Sequence, residues 1–315
     1  MTRGTLTYIL QRLVLISFTA LVISSVVFIG QHVLLPGDAF VSERLRDPAL
    51  MRERLHHFHL DLPLQQQYVL WLTGVLHGDL GESLVNRGVR ITPLLLREAA
   101  TSATLGVFAL ILTVGLGLLL GVLAALKQNT WVDYLATTGA VVGYSMPNFV
   151  IATLLVLLTA KLLFNWTGGV FYYDIGWGKP EQVAVPAIAL GVPYASIVAR
   201  LTRASMLETI RQDYVRTAWA KGLGRRVVVL RHALRNALIP VVTILGPLVT
   251  GIITGSVVIE NIFGIPGLGK EFIESILNRD YNIVIGVFTF YAILIGLANL
   301  IVDVIYPVLD PRIRY

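Results

Sequence analysis

The chain has no cysteine. A disulfide framework and a thiolate-bound metal or redox centre are therefore excluded. Charge is scarce too. Only 14% of the 315 residues are Asp, Glu, Lys or Arg, where a soluble domain carries about a quarter. Neither a GxSxG nor an HExxH run occurs, so the common serine-hydrolase and zinc-protease signatures are missing. In place of charge there is apolar surface, at 55% hydrophobic residues and a mean hydropathy of +0.73. These values indicate an all-α polytopic membrane protein. The net charge of +6 is explained by basic cytoplasmic loops, without a nucleic-acid partner.

Six stretches have the length and apolarity for membrane spans: Leu13–Gly30, Ala103–Leu126, Tyr134–Ala160, Gln182–Ala199, Ala237–Ile259 and Tyr281–Val302. The fourth holds Pro186 and Pro193, which neighbouring helices can accommodate inside a bilayer. The first follows Arg3 and Arg12 and lacks a small-x-small cleavage site, so it reads as a retained span. Gly117 and Gly121 are four residues apart, as are Gly251 and Gly255. That spacing favours close packing of helices within the chain.

Orientation follows from Lys and Arg in short loops. Arg200–Asn236 carries Arg200, Arg203, Arg211, Arg216, Lys221, Arg225, Arg226, Arg231 and Arg235 against Glu208 and Asp213. It is expected in the cytoplasm with both termini, where Arg312 and Arg314 lie. Lys127–Asp133 is expected on the same side, and Glu260–Asp280 outside. The expected organisation is a cytoplasmic start and first span over 1–30, and an extracytoplasmic segment over 31–98 that forms a small folded element. A transmembrane core follows over 99–306 with a cytoplasmic loop at 207–236, and a tail at 307–315.

Several candidate constellations are weak on chemical grounds. Gly264, Gly269 and Lys270 match part of a phosphate-loop frame, but Glu271 stands where a hydroxyl should bind magnesium. His56, His57 and His59 are crowded and lack Cys or paired-carboxylate neighbours, so no metal is assigned to them. Within spans, Asn148, Asn299 and Asp303 are polar. Asn148 follows Pro147 and either serves a pathway or satisfies the backbone that Pro147 disturbs. No catalytic pair emerges, which disfavours an intramembrane enzyme.

The most basic stretch, RQDYVRTAWAKGLGRRVVVLRHALRNALIP, runs from Arg211 to Pro240. Asp213 can cap a helix over Tyr214–Lys221, which Gly222 can end. Val215 and Trp219 are expected on one side, and Tyr214, Ala218 and Lys221 on another. A second helix, Arg225–Ala237, leads into the fifth span. A basic hairpin on anionic lipid would explain the arginines. It does not explain a small first helix with an abrupt glycine stop.

This stretch resembles the cytoplasmic signature loop of ABC importer permeases, most closely the peptide/nickel branch. LLPGDA (Leu34–Ala39), HGDLGESL (His77–Leu84), SMPNF (Ser145–Phe149), ARLTRASMLE (Ala199–Glu208), PGLGKEF (Pro266–Phe272) and the terminal LDPRIRY agree in order. Ala39 departs from the usual proline, and the leading Glu of the general signature is absent. Agreement is least over Asn165–Gln182. The resemblance implies the type I importer permease fold and a place in a prokaryotic inner membrane. It implies a second, similar permease, two ATPase subunits that hold ATP and Mg, and an extracytoplasmic substrate-binding protein. It implies import of di- or oligopeptides, or alternatively nickel or another small solute. The chain itself would hold no cofactor and catalyse no reaction. Tyr214, Val215, Arg216, Thr217, Ala218, Lys221, Gly222 and Leu223 would contact an ATPase. Ser145, Pro147 and Asn148 would lie along the substrate pathway. Pro266, Gly267 and Gly269 would form an external gate or a binding-protein contact.

Overall fold

The structure is a computed structural model that describes residues 3–34, 48–168 and 175–309. Most of the LLPGDA landmark, the middle of Asn165–Gln182, the terminal residues after Leu309, and Arg312 and Arg314 lie outside these. The described residues are helical apart from turns and one isolated bridge, Glu82 to Arg90. The elements are α1 (Arg3–Leu34), α2 (Pro48–His57), α3 (Leu64–Leu76), α4 (Ile91–Leu126), α5 (Trp131–Ser145) and α6 (Asn148–Leu157). A π-helical stretch, Leu158–Leu163, joins α6 to α7 (Phe164–Thr167). Then come α8 (Glu181–Ile210), α9 (Asp213–Ala220), α10 (Arg225–Val227), a π-helical stretch Val228–Leu234, and α11 (Arg235–Ala237). The order closes with α12 (Ile239–Thr243), α13 (Leu245–Phe263), α14 (Leu268–Leu277) and α15 (Tyr281–Leu309).

Leu6–Gln31, Ile91–Leu126, Gln182–Ile210, Leu245–Phe263 and Tyr281–Val304 are long and apolar enough to cross a membrane. The third expected span is not one straight helix. It breaks between Ser145 and Asn148, and α5 and α6 meet at 107°. Pro147 is the cause, because it cannot donate to the helical ladder and turns its predecessor away from helical geometry. The fourth span, by contrast, is continuous through both prolines and runs on to Ile210. Arg200 and Arg203 therefore sit on a helix and do not begin a loop.

The chain forms two compact units. One is built on Ser102–Ile265 with the stretch from Ala298. Its centre is α8, where Ala187, Gly191, Ala195 and Ala199 recur every fourth residue. A Cβ at Gly191 would fall 2.9 Å from the Ala109 carbonyl oxygen. At Gly117 it would fall 2.6 Å from Val198 Cβ, and at Gly121 2.5 Å from Thr202 Cβ. Residue numbers rise together along α4 and α8, so the two helices are parallel. Two parallel crossings need a third between them that returns the chain. With the bent pair taken as one span, the segment between them supplies that crossing, for up to six among the described residues.

The antiparallel neighbours agree. Gly143 lies against Ser196 and Asp133 against Arg203, so α5 runs opposite to α8. Gly251 meets Tyr194 and Gly255 meets Leu190, so α13 does as well. Both glycine pairs noted in the sequence thus serve packing within the chain. Leu105, Ala109, Ala152, Leu190, Ile252 and Phe263 form the main core of this unit.

The other unit joins Leu6–Thr101 to Pro266–Leu297. Phe28 of α1 packs on Tyr68 and Trp71 of α3, with ring centroids 5.3 and 6.3 Å away. Ile91 and Leu95 are buried with Leu268, Ile283 and Val287. Asp280, 1% exposed, precedes α15 and accepts the Ile283 amide at 3.3 Å as a cap. The same carboxylate accepts the Ser83 hydroxyl and the amides of Leu84 (3.1 Å) and Val85 (3.3 Å). It thereby fastens the HGDLGESL turn to the start of α15.

Two outcomes follow. Gly121→Val should destabilise the protein by about 1–3 kcal/mol or more, because the neighbouring backbone carbonyl cannot yield. Gly115→Ala, with open space around it, should be neutral or slightly stabilising, and thermal unfolding in detergent checks the contrast. Asp280→Ala leaves several buried donors without an acceptor and should cost about 3 kcal/mol or more. Amide exchange at 83–85 and 283 should accelerate, while exchange in α8 stays unchanged.

Candidate functional site: the α9 segment and the polar positions around α8

Two residues separate the end of α8 from the α9 segment. Gln212, in extended geometry, occupies the capping position, and Asp213 is the first helical residue. Asp213 is thus not the cap. Its carboxylate lies 3.7 Å from Arg216 at the surface, and its carbonyl accepts the Thr217 hydroxyl at 2.9 Å.

At the other end Gly222 has φ +73°, a left-handed conformation open to glycine at little cost. Its amide donates to the Trp219 carbonyl at 2.9 Å, and the Leu223 amide to Ala218 at 3.4 Å. These two bonds make a Schellman stop. Leu223 packs back on Val215, Ala218 and Val228. The buried face is therefore Val215 with Ala218, and not Val215 with Trp219. Trp219 is 45% exposed. Neighbours three apart shield a small residue more readily than an indole on so short a helix.

Tyr214, Arg216, Thr217, Trp219 and Lys221 are left exposed, a ridge of aromatic, hydroxyl and cationic groups. Tyr214 is oriented by Asn236, whose Nδ2 donates to the phenol oxygen at 2.7 Å. Beneath, Met206 of α8 is buried with Val229, Ala233 and Ala237. The helix after Gly224 leads toward α13 as expected, though with a π-helical stretch in it.

Among the pathway candidates, Pro147 and Asn148 sit at the break between α5 and α6. Ser145 turns its hydroxyl to the Val141 carbonyl at 2.8 Å. Asn148 hydrogen-bonds the Tyr194 hydroxyl, and its Nδ2 would lie 3.2 Å from a Cβ at Gly255. Tyr194 went unnoticed in the sequence, since a lone tyrosine in an apolar run carries no pattern. Asn299 accepts the Thr250 hydroxyl at 2.9 Å.

Pro266 is exposed, and Gly267 and Gly269 are buried at the start of α14. The Glu271 carboxyl is pushed above its ordinary value, first by burial and then by Glu274 and Asp280. It also hydrogen-bonds Glu98. An environment this rich in carboxyls repels phosphate, in keeping with the rejection of a nucleotide loop. His56 Nδ1 lies 2.9 Å from Asp61 and His57 Nε2 3.5 Å from Glu82, all at the surface. The hydrogen bond from His56 holds the Asp61 carboxyl below its usual range. No group of three His, Asp or Glu side chains suited to a metal occurs among the described residues.

Comparison with known proteins places this geometry. Residues 117–315 match the model of the family described as binding-protein-dependent transport system inner membrane component. The dipeptide transport system permease protein of Bacillus subtilis is 42% identical over 98% of this chain and 97% of its own length. The oligopeptide transport system permease protein of Escherichia coli is also 42% identical, over 90% of this chain and 91% of its own. Among solved structures, the MetNI methionine ABC transporter in inward-facing form aligns with a TM-score of 0.54 at 18% identity. It covers 70% of this chain and 98% of its own. An amino acid ABC transporter aligns at 0.52 and 16% identity, covering 68% and 94%. The chain belongs to the binding-protein-dependent transport system inner membrane component family and is a membrane-spanning permease with the ABC importer permease fold.

Proposed function

We propose that this permease moves di- or oligopeptides into the cytoplasm, and that α9 carries the work of an ATPase to the membrane helices. The observation that carries this reading is α9 itself. It is a short helix pinned on Val215 and Ala218 and stopped by Gly222, with an exposed ridge of Tyr214, Arg216, Thr217, Trp219 and Lys221. A helix that only lay on lipid would turn its apolar residues outward. This one buries them against its own chain and offers aromatic and basic groups to a groove in another protein.

The peptide class rests on the names of the two bacterial relatives. A second permease would complete the pathway, two ATPase subunits would bind ATP and Mg, and a substrate-binding protein would dock outside. The charge distribution supports a cytoplasmic α9 end and cytoplasmic termini in a prokaryotic inner membrane. Ser145, Pro147 and Asn148 at the α5–α6 break are the pathway residues of this reading. Pro266, Gly267 and Gly269 form its external contact.

A side chain at Gly222 must be held in the left-handed region, which costs about 1–2 kcal/mol for most L-residues and less for Asp or Asn. Gly222→Asp adds a charge at the same turn. Uptake of a labelled peptide by the reconstituted complex should fall by about an order of magnitude with assembly retained. Uptake equal to the unaltered complex would show that α9 is not the joint. The ligand that co-purifies with the binding protein decides the substrate class, and a metal chelate there would overturn the peptide assignment.

A further inference from the structure

Asp133 and Arg203 form an ion pair that neither the membrane spans nor the basic loop accounts for. Asp133 lies in the first turn of α5 and is 3% exposed. Arg203 Nε donates to its Oδ1 at 2.6 Å and Nη2 to its Oδ2 at 2.8 Å. This fork fixes direction as well as distance. Oδ2 also accepts the Asn129 amide at 3.0 Å, and Oδ1 the Thr137 hydroxyl at 3.3 Å. One carboxylate thus joins the α4–α5 turn, the start of α5 and α8.

Stability alone is a poor explanation. An apolar pair of similar volume in such a place is often as stable or more so, and this protein is built of apolar contacts. Close packing already sets which residues of α5 and α8 meet, as at Gly143 and Ser196, and the two-pronged ion pair adds a fixed direction at the end of that contact beside α9. Its position matters as well. From Arg203, α8 continues for about 10 Å to Ile210, and after two intervening residues α9 begins. On its other flank α8 is held to α4 through Gly117 and Gly121. Displacement of α9 therefore reaches α8 along the chain. Its most direct way to α5 is the α5–α8 contact, where the pair is the directional link nearest α9. From there α5 leads to the break at Pro147 and to Asn148, which is bonded to Tyr194 of α8.

We propose that Asp133 and Arg203 are the positioning pair that makes α5 follow α8 when α9 is displaced, so that movement arrives at the α5–α6 break. The inference rests on the transport reading and adds the route inside the permease.

Because this chain lacks cysteine, two labelling positions can be introduced into it without removing native thiols. Spin labels at Tyr134→Cys on α5 and Arg211→Cys beside α9, both exposed, report their separation in the reconstituted complex. With the pair intact, the distance distribution should be the same with and without ATP. Arg203→Lys keeps the charge but loses the fork, and Asp133→Leu/Arg203→Met keeps the packing. In both, the distribution should broaden or shift with ATP, and tri-alanine taken up per ATP hydrolysed should fall about tenfold. The thermal midpoint of Arg203→Lys should stay near that of the parent. Parent-like distances and a parent-like peptide-to-ATP ratio in Arg203→Lys would overturn the proposal. An ATP-dependent distance change in the parent would overturn it too. Should the parent hydrolyse ATP and hold the distance but import no peptide, the substrate reading fails and the positioning role stands.

Discussion

Backbone-to-backbone approach along α8 is the constraint on which the first unit depends. A bilayer offers little hydrophobic drive between helices, so association relies on close packing and on satisfied polar groups. Here Gly191 meets a carbonyl of α4, and Gly117 and Gly121 let α4 settle on Val198 and Thr202. Gly143 does the same for α5, and Gly251 and Gly255 for α13. Because these approaches pair residues in a definite order, they also fix which helices run parallel. The parallel arrangement of α4 and α8 is what makes the bent α5–α6 segment a crossing.

Polar groups are then few and placed where apolar contact cannot do the task. Asp280 gathers donors from a turn and a helix start. Asp133 and Arg203 set the register of two helices. Asn148 and Tyr194 bridge a helix break to a neighbouring span. Each is paired, as burial demands, and each joins segments distant in sequence. The α9 segment reverses the pattern. Its small apolar face is buried, and its aromatic and charged face is exposed beside the end of α8.

Much of this was legible in the residues. Hydropathy gave the spans, the Lys and Arg distribution gave an expected orientation, and Gly222 marked the stop of α9, since a glycine after a helical run has few other uses. The features that were not legible share a physical cause. Asp213 reads as a cap candidate, and Trp219 shares a side with Val215, on spacing alone, because propensity does not know which neighbour is present. Once Val228 and Leu223 close over Val215 and Ala218, that face is decided. Proline alone does not tell the break at Pro147 from the continuity of α8 through Pro186 and Pro193, because its effect depends on what surrounds the freed backbone groups.

By itself, the sequence determined the class of the molecule. A chain without cysteine, poor in charge and rich in long apolar runs must satisfy its backbone in helices across a membrane, and its signature loop carries the family likeness. Tertiary structure alone decided which charges are loop charges and which are structural. Asp133 and Arg203 lie seventy residues apart and read as two unrelated cytoplasmic residues. They form one pair only because α5 and α8 run antiparallel in contact, and no local pattern encodes a partner that distant.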